Sequence, residues 1–468
     1  MIGSQTSPQS GRPGKGMAAL TVVMILFFVM ALVAAYTNRN LVFEQRISAN
    51  SYKSARALDA AEAAIDWTLS MLNGGVVTDN CTAPSDANLA ANPTAYTDFR
   101  RRFLTIPVDT TVTEGRYDVP GSANSDLRMY PACIMDANAG LSCICPSLTS
   151  RNPAMTTPAN GIGSAFNVNL QLAGNLPGVL NIVAQGCANI GTGSTTCYNQ
   201  NPAAQGVSVV DAKSGINMTV ALIRALPLPA QAPGHPQLAA LTTGGDVKSN
   251  IGTLKVANGD LGLTVHAGGS ITWVTNPPVY LGAAGSRSPL VSANDVALLN
   301  LAQPSPPGDP WFLSLFGMLP AEYKVQPALI VVPCAGGECT SASLTTTLAR
   351  YPRHPIWVQG NLTINDAAAL GDMSSANNMP NPVMLIIDGI LTVNAATPIT
   401  GFLHANKEIV WTAAASAATV RGALVTRGSF KAFSDATLVY DRDVLNTIRL
   451  YYGSFVRLPG SWKPTTLF

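Results

Sequence analysis

Charge is what this sequence has least of. Asp, Glu, Lys and Arg make up 12% of its 468 residues, against roughly a quarter in an ordinary soluble domain. The balance is +2, so no basic field points to a nucleic-acid partner. Histidine is scarcer still: His235, His266, His354 and His404 are scattered, none beside a Cys or carboxylate at ligand spacing. No Ser sits in a Gly-x-Ser-x-Gly elbow, and no phosphate-binding loop is present. These absences argue against an enzyme, a cofactor and a metal centre. Ala, Thr, Asn, Gly and Pro take the place of the missing charge, with 40 Gly and 33 Pro. That composition suits a turn-rich, extracytoplasmic β protein, and the length allows two or more domains.

Eight cysteines are present. Cys187 and Cys197 bracket a Gly-rich loop, and Cys334 and Cys339 bracket Ala-Gly-Gly-Glu; both read as disulfide-closed turns in an oxidising compartment. Cys81, Cys133, Cys143 and Cys145 are further disulfide candidates of open connectivity. A zinc site nucleated by Cys133, Cys143 and Cys145 is the rival reading, weakened by the lack of a second close pair or a nearby His.

Met17 to Tyr36 carries no charge, Pro or Gly, and twenty residues of helix span about 30 Å, the thickness of a bilayer core. Arg12 and Lys15 precede it, so the positive-inside bias places residues after Tyr36 outside the cytoplasm. The chain then continues without Pro or Gly to Asn73-Gly74-Gly75. Tyr52, Ala55, Leu58, Ala61, Ile65, Leu69 and Leu72 recur at three- and four-residue spacing, so one helix is expected from Met17 to about Leu72. A secretory signal cleaved after Val33-Ala34-Ala35 would cut that helix in half.

A short polar leader ending in Lys15-Gly16, an uncharged apolar helix and an amphipathic continuation resemble a type IV prepilin. The resemblance implies a peptidase cut between Gly16 and Met17 and methylation of Met17. It also implies Glu at the fifth mature position, where this chain has Thr21. Without that carboxylate a subunit cannot pair with the charged N-terminus of the subunit ahead, which points to a place at or near a fibre tip. The alanine-rich run Ala57-Leu-Asp-Ala-Ala-Glu-Ala-Ala-Ile65 looks like that of PilX-type minor pilins, which also lack the Glu. The K subunit of type II secretion pseudopili is the nearest confusable relative.

Beyond Val76 the chain reads as β-rich. Residues 166–172 and 215–223 alternate as half-buried strands, and Ala225–Pro236 holds four prolines and reads as a linker. Ile399–Trp411 repeats in Val420–Ala432 at a 21-residue offset, and Gly360-Asn-Leu-Thr-Ile364 repeats in Gly389-Ile-Leu-Thr-Val393. Gly262–Val265 and Gly269–Trp273 are looser copies. Such short units cannot bury an apolar face alone, so a stacked β-helix is expected over about 238–440, with an ordinary β-sandwich as the alternative. Asp246, Asp260, Asp366, Asp388, Glu408 and Asp435 do not recur at one repeat position, which leaves no paired-carboxylate site and no contiguous calcium loop. Trp311, Phe312, Leu315 and Phe316 predict a short helix over one end of the solenoid, and the aromatic tail 451–462 a cap on it.

The expected fold is thus α+β: a leader (1–16), a long helix (17–75), a pilin-like α+β domain (76–230), a solenoid (238–440, with an insert at about 283–350) and a C-terminal cap (441–468). The function the resemblance implies is that of a minor pilin priming assembly of a type IV pilus and its tip complex. Its implied partners are other minor and major pilins, the prepilin peptidase, the inner-membrane assembly machinery and a tip adhesin. Its implied location is the inner membrane and then the pilus. A secretion pseudopilin, or an adhesive module on a pilus tip, is the alternative.

Overall fold

In the computed structural model the described residues are 15–104, 131–136, 140–145, 162–173, 176, 178–190, 210–227, 238–260, 262–282, 291–304, 308–374 and 380–465. One helix, α1 (Lys15–Leu72), runs unbroken through the apolar and amphipathic segments. From Ala57 onward it lies on an antiparallel sheet. The strands are β1 (Ala132–Asp136), β2 (Gly140–Ile144), β3 (Ile162–Leu172), β4 (Val179–Ile190), β5 (Val210–Arg224) and β6 (Gly453–Arg457), in the order β6-β5-β4-β3-β1-β2.

The contact between helix and sheet is close because the facing residues are small. Ala57, Ala60, Ala61 and Ala64 are fully buried, with Ile65, Thr68 and Leu72 continuing the stripe. Leu58 and Leu69 flank it, half-buried. Gly186 of β4 is what admits the backbone of α1: a Cβ there would stand 2.1 Å from the Ala57 carbonyl and 2.5 Å from the Ala61 nitrogen. Cys133–Cys143 staples β1 to β2 at register partners, and Cys81–Cys145 ties the segment after α1 to the end of β2. The three sulfurs of the rival zinc reading are therefore engaged in disulfides. Cys187, in β4, is also disulfide-bonded, and Cys197 lies outside the described residues.

The second unit is a parallel solenoid with three apolar ladders. The first ladder stacks Ile330, Ile356, Leu385, Leu403, Leu424, Leu241, Val265 and Val291. A second runs Leu362, Leu391, Ile409, Phe430, Val247, Ile271. A third runs Ile399, Val420, Leu438, Val256, Tyr280. The 21-residue repeat is physical: Ile399 pairs with Val420 and Trp411 with Ala432.

The rungs do not stack in chain order. Residues 241–258 lie on 419–440, the last rung made, so the chain enters mid-solenoid and builds outward to Val291–Ser292. It then returns beside the stack and restarts at its opposite end, the one next to the first unit, with Ile330–Thr340. The return carries helices α2 (Pro310–Phe316) and α3 (Pro320–Lys324). These cover the side of the solenoid rather than its end: Phe312 and Phe316 pack on Trp357, Phe402 and His404. Helix α4 (Arg442–Tyr451) then leads back to the first sheet. The aromatic tail does not cap the solenoid. Phe455 and its neighbours form β6 and pair with β5, Gly453 opposite Arg224. The solenoid is therefore an insertion between two adjacent strands of the first sheet, and the overall class is α+β.

Candidate functional site

The half of α1 that precedes Ala57 touches almost nothing. Leu20, Phe27, Phe28 and Leu32 are more than half exposed, and this is the one described helix long and apolar enough to cross a membrane. Apolar side chains on every face mark a helix whose solvent is hydrocarbon or other helices. Gly16 and Met17 fall in its first turn, and Thr21, in the second, is exposed. These three are thus remote from Leu58, Ala61, Ile65, Leu69 and Leu72, which face the sheet.

The other end of α1 is fixed in place. Asn73 is buried, and its amide reproduces the bonding of a strand neighbour: Nδ2 donates to Phe455 O at 2.9 Å, and Oδ1 accepts from Phe455 N at 2.8 Å. Arg100, in the short helix Phe99–Phe103, donates to the last carbonyl of α1 (Leu72 O), to Gly453 O at 2.7 Å and to Asn73 Oδ1 at 3.3 Å. Its guanidinium lies 4.8 Å from the Phe455 ring centroid. A planar cation with five donors suits the free carbonyls of a helix end.

Asp98 and Arg353 carry the junction into the solenoid as a buried ion pair. Burial opposes ionisation of Asp98, but Arg353, the Arg101 amide and His354 outweigh it and hold its pKa below the usual carboxylate value. His354 faces two carbonyls, Pro352 O at 2.9 Å and Asn73 O at 3.2 Å. That setting favours a second proton on the ring; burial and the Arg100 charge oppose it more strongly and push the pKa down to about 4. Tyr452 donates its hydroxyl to Pro382 O, and Ser454 Oγ accepts from Ala328 N at 2.9 Å. Asp98, Arg100 and Arg353 did not stand out in the sequence, where Asn73 read as part of a helix stop and His354 as one of four scattered histidines. The nearest signal was Arg100-Arg101-Arg102, a basic run in a charge-poor chain.

The solenoid's two ends differ. At the far end Trp273 is 51% exposed, and Ile251, Val274 and Leu281 are also exposed. Residues 267–282 hold no charged side chain. At the near end the backbone reaches the first unit: a Cβ on Gly75 would stand 2.3 Å from Arg350 O, and Arg350 pairs with Asp86. Among the described residues no group of three or more His, Cys, Asp or Glu could hold a metal.

Residues 15–66 match the family model of the PilX N-terminal segment. The chain is similar to the competence-associated pilin ComZ from Thermus thermophilus, with 11% identity over 88% of this chain and 98% of that one, at a TM-score of 0.20. It is also similar to an ice binding protein from an Antarctic Biological Consortium, with 14% identity over 45% of this chain and 92% of that one, at a TM-score of 0.19. At such scores neither likeness carries an argument. No curated protein matches the chain. The N-terminal helix is thus PilX-like over residues 15–66, and the apolar segment it exposes is consistent with a single-pass anchor.

Proposed function

We propose that the chain is a minor pilin of a type IV pilus, held in the inner membrane by the first half of α1 and then drawn into a fibre through the same surface. The observation that carries this reading is one continuous helix, bare and apolar from Ala19 to Tyr36 and packed on a pilin-like sheet from Ala57 to Leu72. A transmembrane anchor alone needs only about twenty residues; here the helix runs on to Leu72, and its Ala57–Leu72 stretch is packed on the head, as a subunit that packs by its helix requires. Processing between Gly16 and Met17 and the neutral Thr21 belong to this reading, as do the pilin partners and the assembly machinery. The solenoid inserted between β5 and β6 favours the tip, since a bulky head fits more easily at a fibre end than in its repeat.

N-terminal sequencing of the mature protein tests it. A start at N-methylated Met17 is expected; a start at Tyr36, or an intact leader, would sink the proposal. A second reading, an adhesive module, is favoured by the uncharged, aromatic far rung at Trp273 and Leu281. Trp273→Ala with Leu281→Ser should leave fibre assembly intact and reduce attachment of fibre-bearing cells to polystyrene severalfold. Unchanged attachment rules that module out.

A further inference from the structure

Arg224 and Gly453 are register partners, so the chain leaves for the solenoid and returns from it at one point. Two covalent connections side by side form a natural hinge, and relative motion is the default for units joined in that way. The side chains around this point oppose a hinge. We propose that Asn73, Arg100, Asp98 and Arg353 form a node that locks the solenoid to the C-terminal end of α1, so that the two units open and unfold as one body and load on the solenoid passes directly into the helix. The inference stands apart from the pilin reading and holds whether or not the chain enters a fibre.

Three observations carry it. First, the node joins elements far apart in sequence: the end of α1 (Leu72, Asn73), the Phe99–Phe103 helix, the solenoid base and β6. Second, its members are buried, with the side chains of Arg353 and Asp98 6% and 3% exposed. A buried ion pair adds little over an apolar pair, but any shift that parts its partners while they stay shielded from water strands both charges, so small displacements at the junction are disfavoured. Third, Arg353 holds φ at +60°, a left-handed conformation a non-glycine residue keeps where its surroundings over-determine it. Its amide donates to Asn381 Oδ1 at 2.9 Å, fixing the backbone from the other side.

The full chain in detergent micelles should melt in a single calorimetric transition. Asn73→Ala, and separately Arg353→Met, which leaves the buried Asp98 carboxylate without its partner, should split that transition in two. Arg427→Ala, which removes an ion pair to Asp309 within the solenoid, should lower the single transition without splitting it. Two transitions in the wild type, or none split by either node variant, would overturn the proposal. Where a node variant fails to fold, hydrogen exchange of the wild type decides. Peptides covering 180–184 and 422–426 should show protection within about threefold of each other; a tenfold difference or more refutes the lock.

Discussion

The two halves of α1 share a helix and have opposite surroundings. The first, from Ala19 to Tyr36, is apolar on all sides and exposed; the second, from Ala57 to Leu72, presents alanines to a sheet and is covered on that face. Large side chains build the half that awaits other helices or lipid, and small ones build the half that approaches its own β4. The difference teaches that hydrophobicity alone does not assign a helix to a core. Side-chain size on the facing stripe and the presence of an opposing glycine do.

Substitution should separate the halves. The largest effect is expected from Gly186→Val, which drives a side chain into the α1 backbone at Ala57 and Ala61. Overpacking against backbone that cannot yield should cost about 3 kcal/mol or more, measured by urea unfolding in detergent. Ile65→Ala, in the covered half, should cost about 2–4 kcal/mol in the same assay. Phe28→Asp, in the exposed half, should leave the unfolding midpoint unchanged while disfavouring membrane insertion by about 3 kcal/mol, read as loss from the membrane fraction. A drop in the midpoint would break the comparison.

The last effect concerns the fixed end of the helix, is absent at neutral pH and is set by acidification. His354 titrates near 6.5 when unfolded and near 4 when folded, so unfolding takes up a proton between those values. Stability is full above about pH 6.5 and falls with acidification at up to about 1.4 kcal/mol per pH unit. His404 is held lower still, to about 3, by burial and by Arg427, and adds the same sign. Asp98, with its pKa lowered, contributes stability that is lost below the carboxylate range. His354→Gln should flatten the slope between pH 6.5 and 4; an unchanged slope would place it elsewhere.

The sequence made α1 legible because its signals are local: an uncharged run, a periodic stripe and a Gly-Gly stop after Asn73. The solenoid was legible where neighbouring rungs follow each other in sequence, as Ile399 and Val420 do. It was not legible where stacking joins Leu424 to Leu241, since short strands separated by 183 residues carry no mark of their pairing. The aromatic tail misled for the same reason: apolar alternation at Phe455 fits a cap or a strand equally, and only β5 decides. The node was hidden because Asn73 looks like a helix stop and Arg353 like a surface cation, and each acquires its role from a partner hundreds of residues away.

The discontinuous stacking also sets a timetable for biogenesis. Synthesis from the N-terminus delivers residues 241–258 early, but their neighbours at 419–440 arrive near the end. Until then the first rungs present an open edge, and β5 lacks its partner β6. Folding from non-local contacts is slow and leaves such edges at risk of mispairing. The body is therefore expected to close only when synthesis is nearly complete, and a chain truncated before Tyr440 should be cleared by proteases rather than persist half-built.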